Sequence, residues 1–315
     1  MDYEGQICRA PMERSSFMLP VMVGCSYNQC KFCNLFRHLK YRELPMEQIE
    51  AELKRVRELH GKPKKIFLGD GNAFGLKTEK LYEILDLIAY YFPECEGINM
   101  DATVTSILHK SQEELEMLAR KKVKHLYLGI ESGLDVLKFM KKDHDLAQAY
   151  QAIDRLHGAG LIYDAHIMTG VAGKGRGMEN AEALAQFLNR TNPAHVVNFS
   201  MFLHKEVPLY QDIRQGTFVP ADELETIREE YHLIERIAPE KAGANILYDG
   251  FHDFIHVRVR GHLPGDKEKM LAKLNGIIQE YEGKEPVYSF VQGECPDLEY
   301  CDDGKAVWDM DRKTS

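Results

Sequence analysis

The sequence lacks any apolar run long enough to cross a bilayer. Its opening residues, MDYEGQICRA, lack the apolar segment of a secretory signal. The chain is therefore expected neither to span a membrane nor to be exported. Positive charge is also in short supply. Forty Lys and Arg stand against 49 Asp and Glu, a net charge of −9. This argues against broad, non-specific nucleic-acid binding, though not against a local basic patch. No internal repeat and no low-complexity segment is present. The glycine-rich stretch from Gly170 to Gly177 lacks a Gly-Lys-Ser/Thr ending, so it is not a phosphate-binding P-loop. Cysteine is scarce and uneven, seven in 315 residues. Without an export signal these residues are expected in a reducing, cytoplasmic compartment, as ligands or free thiols rather than disulfides.

What is present is ordinary in bulk and distinctive in pattern. Hydrophobic residues make up 44% and charged residues 28%, the balance of a globular chain large enough for one big domain and an extension. Strand-like runs are predicted at 18–24, 65–69, 97–102, 123–131, 161–170 and 195–203. Helical patterns lie between them at 46–60, 77–92, 111–121, 147–159 and 178–189. Ser111 followed by Glu114 is a capping box, and Gly158 and Gly160 close the fourth helix. Strands alternating with helices imply parallel βαβ units in an α/β fold. Beyond Leu203 the sequence predicts loop over 205–220, a helix over 221–237, a strand over 254–260 and a helix over 266–282. Domain bounds of 1–237 for the core and 238–315 for an extension follow.

Three cysteines, Cys25, Cys30 and Cys33, sit in the run GCSYNQCKFC directly after the first strand, with no fourth nearby. Structural zinc sites normally take four protein ligands. Three soft thiolates on one short loop suit instead a cubane iron–sulfur cluster with one iron left open. A zinc knuckle borrowing a distant ligand, or unused thiols, is the bland alternative. Function in such folds collects at the carboxyl ends of strands. Here those ends carry the cysteine loop, Gly69-Asp70-Gly71-Asn72, Asp101-Ala102-Thr103, Gly129-Ile130-Glu131-Ser132-Gly133 and the stretch following His166. The glycine turn reads equally as a plain strand-to-helix turn, and Ser132 as a helix cap. Lys174 and Arg176 suit an anion or simple solvation. His166 is a core or rim residue or a substrate contact. His256, Arg258 and Arg260 share one face of FIHVRVR, either solvated or facing a substrate carboxylate or phosphate. Cys295 and Cys301 are surface thiols, redox thiols or ligands of an auxiliary metal.

These residues resemble the radical S-adenosylmethionine (radical SAM) superfamily, in particular its Elp3-like and anaerobic coproporphyrinogen oxidase-like branch. The resemblance rests on the cysteine loop with its Phe32-Cys33 pair, the GDGN turn, GIESG and the order of elements, over roughly Leu19 to Ile237. The usual motif has three residues between its first two cysteines; here there are four. The resemblance implies a partial (β/α)6 parallel barrel with a small C-terminal α/β extension. It implies a [4Fe–4S] cluster on Cys25, Cys30 and Cys33, with the open iron chelating S-adenosylmethionine. Contacts to that cofactor are implied at Phe32, Gly69, Asp70, Gly71, Asn72, Glu131, Ser132, Met168 and Gly170. Reductive cleavage would yield a 5′-deoxyadenosyl radical that abstracts hydrogen from a substrate. An external electron donor such as flavodoxin or ferredoxin is implied. No cobalamin-binding segment or RNA-binding appendage precedes the barrel, which favours a small-molecule or peptide substrate over tRNA. A non-catalytic iron–sulfur redox sensor or metal-binding protein is the alternative.

Overall fold

The computed structural model describes residue 4, residues 8–290 and the short pairs 299–300 and 306–307. Cys295 and Cys301 lie outside the described residues. The strands are β1 (Phe17–Pro20), β2 (Met22–Val23), β3 (Arg42–Glu43), β4 (Lys65–Gly69), β5 (Gly97–Ala102), β6 (Val123–Glu131), β7 (Ile162–Thr169), β8 (His195–Ser200), β9 (Ile246–His252), β10 (Val257–Leu263), β11 (Glu299–Tyr300) and β12 (Ala306–Val307). The helices are α1 (Met46–Glu58), α2 (Thr78–Tyr91), α3 (Val104–Leu108), α4 (Gln112–Arg120), α5 (Val136–Phe139), α6 (Leu146–Gly158), α7 (Gly177–Thr191), α8 (Pro208–Arg214), α9 (Glu223–Arg236) and α10 (Lys267–Tyr281). Eight strands form one mostly parallel, open sheet in the order β1-β4-β5-β6-β7-β8-β9-β10. The fold is thus the mixed α/β class that the alternation predicted, with a mostly parallel sheet as in the partial barrels that the resemblance implied. No helix among the described residues is long and apolar enough to cross a membrane.

The chain forms two compact units, Met1–Gly129 with Lys142–Ala165, and Ile130–Lys141 with His166–Ser315. In the first, β1, β4 and β5 pair in parallel register, Phe17 against Ile66 and Ile66 against Ile98. β1 and β4 are largely apolar on both faces, as in a covered sheet, whereas β5 turns Asn99 and Asp101 toward the side on which the chain before β1 lies. Glu13 in that leading segment is 2% exposed. Its carboxylate accepts hydrogen bonds from Asn99 Nδ2 at 2.7 Å, Tyr127 at 2.6 Å and the Ser16 hydroxyl. Ser111 and Glu114 form the expected reciprocal cap on α4. Gly160, at φ +76°, lies just beyond the end of α6.

In the second unit, α7 and α9 pack on each other and α10 packs on α9 and β10. Here several expectations need correction. The segment 205–220 is not all loop. It contains α8, started by Pro208 at its first position, where the missing N–H costs nothing. The predicted strand over 254–260 begins instead at Val257. Residues Asp253–Ile255 form a 3-10 turn and His256 takes φ +53°, which reverses the chain. His256 therefore does not share the face of Arg258 and Arg260. The reversal pairs β10 antiparallel with β9, a strand whose Asp249 and Gly250 read as turn residues in the sequence.

Candidate active site

In the first unit the cysteine loop is closed at its base by the β2–β3 pair, Met22 against Glu43 and Val23 against Arg42. Asn28 takes a left-handed conformation, φ +45°, which asparagine tolerates better than most residues. Its side-chain amide donates to the Phe36 carbonyl at 3.1 Å. That anchored turn accommodates the four residues between Cys25 and Cys30. Arg37 donates from Nε to the Cys33 carbonyl at 2.7 Å and from Nη2 to the Cys30 carbonyl. One guanidinium thus fixes the backbone beneath two thiols. Lys142 Nζ stands 6.0 Å over the Phe32 ring. None of Cys25, Cys30 and Cys33 is in a disulfide, and all three are partly exposed. Three accessible soft donors on one braced loop fit a cluster held by three thiolates.

The GDGN turn packs directly on this loop. A Cβ at Gly71 (φ +37°) would lie 2.5 Å from the Gly24 oxygen and 2.7 Å from Cys25 Cα. Only glycine permits that approach. Asn72 is spent on structure. Its Nδ2 donates to Ser26 Oγ at 3.2 Å, and its Oδ1 accepts from the Thr103 N–H at 3.0 Å. It ties the cysteine loop to the end of β5. Asp70, 6% exposed, keeps its carboxylate beside the loop. Burial raises its carboxyl to about 6, and a hydrogen bond from the Gly24 backbone opposes the rise.

Two further groups beside this turn were given no cofactor role by the sequence, although Asp101 stands in one of its polar strand ends. Asp101, one residue before the end of β5, has a buried Oδ1 without a hydrogen-bond partner. Burial first, then the charges of Glu13 and Asp70, push its carboxyl up to about 8. Cys8 feels burial first and then the charges of Asp101, Cys33, Asp70 and Cys25, all of which raise its thiol. Strand alternation places Asp101 on the face of Asn99, the face that Glu13 covers. That placement is a tertiary fact with no local motif.

The second unit holds Glu131, Ser132, Met168 and Gly170. Glu131 is 8% exposed and takes φ +62°, a left-handed turn at the end of β6. Ser132 is fully buried. Its hydroxyl donates to Asn180 Oδ1 at 2.6 Å and accepts from the Leu134 N–H at 3.0 Å. The helix-cap reading of Ser132 is corrected: the helix that follows, α5, has Asp135 at its N-cap position, and the Ser132 hydroxyl instead closes a two-residue turn before it. Asn180 Oδ1 also accepts from the Gly133 N–H, and its Nδ2 donates to Glu229 Oε1 at 2.7 Å. The other Glu229 oxygen accepts from the Gly170 N–H at 2.8 Å. One buried asparagine and one buried carboxyl thus fix the ends of β6 and β7 within this unit. Burial raises Glu229 to about 8, and the hydrogen bonds from Asn180 and Gly170 oppose it. Met168 and His166 are partly buried, with His166 edge-on to Phe199 at 6.4 Å. Arg176 is paired with Glu179 at 2.9 Å and Asp135 at 3.4 Å, the solvated reading of the glycine-rich stretch.

Comparison with known proteins agrees with this arrangement. Residues 19–188, more than half of the chain, match the family described as the radical SAM superfamily. No curated protein matches the sequence. Among solved structures, the fold is similar to Elp3 of Methanocaldococcus infernus lacking residues 1–46. The TM-score is 0.52 at 15% identity, over 84% of this chain and 63% of that one. It is similar to the FeFe-hydrogenase maturase HydG of Carboxydothermus hydrogenoformans, with TM-score 0.52 at 16% identity over 82% of this chain and 57% of that one. It is also similar to Streptococcus suis SuiB bound to S-adenosylmethionine, with TM-score 0.53 at 13% identity over 75% of this chain and 51% of that one. The chain therefore spans less than two thirds of these proteins, and at such identities the likeness concerns fold alone. The chain belongs to the radical SAM superfamily, whose enzymes use a [4Fe–4S] cluster and S-adenosylmethionine.

Proposed function

We propose that this chain is a radical SAM enzyme acting on a small-molecule or peptide substrate, with Cys25, Cys30 and Cys33 as the cluster ligands. When bound, the cluster and S-adenosylmethionine supply a one-electron cleavage that yields a 5′-deoxyadenosyl radical able to take hydrogen from carbon. The chain's own residues bind and orient. The Arg37 guanidinium holds the carbonyls beneath Cys30 and Cys33. Asn72 fixes the loop to β5, which leaves Asp70 as the carboxylate that receives the methionine ammonium. Gly69 and Gly71 let the turn approach the loop, and Phe32 screens the thiol beside it. In the second unit, Glu131 accepts ribose hydroxyls. Met168 and Gly170 pack against the base, on backbone that Glu229 steadies. Ser132 contributes through its buried turn and its hydrogen bond to Asn180. The electron comes from an external donor of the flavodoxin or ferredoxin kind, and the compartment is the cytoplasm.

The observation that carries this reading is the direct contact between the GDGN turn and the cysteine loop, tight enough to exclude a Cβ at Gly71. A zinc knuckle has no need of a buried carboxylate hydrogen-bonded to the backbone of its cysteine loop. The test is anaerobic reconstitution with iron and sulfide, then dithionite reduction with S-adenosylmethionine. The expected product is 5′-deoxyadenosine, lost together with the cluster in Cys30→Ala. An intact cluster that yields no 5′-deoxyadenosine would leave a sensor in its place.

A further inference from the structure

In the second unit, one face of β8, β9 and β10 is the helix face. Asn198 and Tyr248 both donate to Glu230 of α9, and His252 Nε2 lies 3.1 Å from it. Strand alternation turns Phe199, Asp249 and Phe251 to the opposite face. Register then aligns them. Phe199 lies opposite Phe251, which lies opposite Arg258; one row deeper, Asp249 lies opposite Arg260. The contacts follow the rows. Phe199 and Phe251 stack at 5.3 Å and 18°. The Arg258 guanidinium lies 4.8 Å over the Phe251 ring. Phe199 and Phe251 each stand one residue short of their strand's carboxyl end, the end where α/β folds place their chemistry.

The charges on this face do not balance. Asp249 is 1% exposed and is the one carboxylate among the described residues that pairs with either arginine. Arg258 takes it side-on, Nε to Oδ1 at 2.7 Å and Nη2 to Oδ2 at 2.6 Å. Arg260 reaches it only at 3.8 Å, too far for a hydrogen bond, and is 54% exposed. Two guanidiniums thus share one buried negative charge beside two phenyl rings. The surplus is a single positive charge, on a chain whose net charge is −9. It matches a monoanion. A phosphate dianion would overshoot it.

From this we infer that Arg260, with Arg258 beside it, receives the carboxylate of the substrate, whose apolar body rests on Phe199 and Phe251. The inference rests on the enzyme reading above, since it names the substrate class of that enzyme. A planar guanidinium with a free fork suits a carboxylate, and the neighbouring rings suit the carbon skeleton that would yield a hydrogen atom.

Calorimetric titration of the full chain with benzoate tests it. The measurement requires neither cluster nor S-adenosylmethionine, so it can fail while 5′-deoxyadenosine still forms, and the reverse. Benzoate is expected to bind at least about ten-fold more tightly than the neutral benzamide, and Arg260→Gln to lose about that factor. Arg260 is half exposed and holds no hydrogen bond to Asp249, so its replacement should leave the melting temperature unchanged. Asp249→Asn frees both guanidiniums and should tighten benzoate and bring phenyl phosphate level with it, which a purely structural role would not do. The inference is overturned by absence of benzoate binding, by equal binding of benzamide, by an unaffected Arg260→Gln protein or by weaker binding in Asp249→Asn. Tighter binding of phenyl phosphate than benzoate by the natural chain also overturns it.

Discussion

At the scale of single residues, the GDGN turn divides its labour. Aspartate and asparagine two positions apart are equal candidates in the sequence. Hydrogen bonding separates them: Asn72 holds Ser26 and Thr103, and the buried Asp70 carboxylate meets only the Gly24 backbone at the start of the cysteine loop. Asp70→Asn is expected to weaken S-adenosylmethionine binding by about ten- to a hundred-fold, the worth of one charge-assisted hydrogen bond. Iron content should stay unchanged. Equilibrium dialysis beside iron analysis reads the two separately, and equal loss of both would show Asp70 to be part of the loop's scaffold. Gly71→Ala should behave in the opposite way. Its methyl group would meet the Gly24 oxygen and Cys25, so the loop must shift and iron retention must fall. Arg37→Met should also lower iron retention, because two carbonyls under the thiols lose their donor.

At the scale of elements, the second unit is organised by α9. Glu229 and Glu230 are neighbours on that helix, both buried, and they titrate in opposite directions. Burial pushes both up. Glu229 takes its hydrogen bonds from neutral donors only, has the charge of Glu225 set against that of His252, and stays high. Glu230 meets His252, whose hydrogen bond and charge, joined by hydrogen bonds from Asn198 and Tyr248, outweigh burial and lower it. Burial lowers His252 in turn, but Glu223 at 3.0 Å and Glu230 at 3.1 Å outweigh it and raise the imidazole to about 10. A histidine raised from 6.5 to about 10 adds stability that is complete below pH 6.5 and is lost as pH climbs through about 10. Glu230, being lowered, adds stability above the ordinary carboxylate range that is lost as pH falls below it. Chemical denaturation should show stability declining from pH 6 to 10 in the natural chain, with the raised carboxyls of Glu229 and Asp101 contributing up to about pH 8 and His252 up to about 10. His252→Gln should flatten the part of that decline above about pH 8 and cost roughly 3–5 kcal/mol near neutral pH, because two buried carboxylates lose their cation. An unchanged slope between about pH 8 and 10 would place the group that titrates there elsewhere. None of this network was legible. Glu223, Glu229, Glu230 and His252 carry no motif, and in sequence they read as the polar side of an amphipathic helix and the end of a loop.

At the scale of the molecule, a cluster held on one braced loop should stabilise the unit that carries it, since a ligand bound only by the folded chain shifts folding by mass action. Reconstitution is expected to raise the unfolding midpoint of the natural chain by about 5 °C, and to leave Cys30→Ala where it was. An equal rise in the Cys30→Ala protein would point to iron bound elsewhere. The alternation of elements, the capping box at Ser111 and the three-cysteine loop were all legible, because periodicity, caps and ligand spacing are local and each residue states its own part. β9 was not. Asp249 and Gly250 are turn residues by propensity, and they sit in a strand because Arg258 neutralises the one and Glu230 occupies the space beside the other. The sequence by itself therefore determined the α/β class, the family and the thiols, through short-range patterns that do not depend on what lies opposite. Only the tertiary structure decided which residue of the GDGN turn is tied to other side chains and which arginine holds no hydrogen bond to Asp249 beside the phenyl rings. Hydrogen bonds and ion pairs are exhausted by partners far along the chain, and no local pattern records which groups those partners leave over.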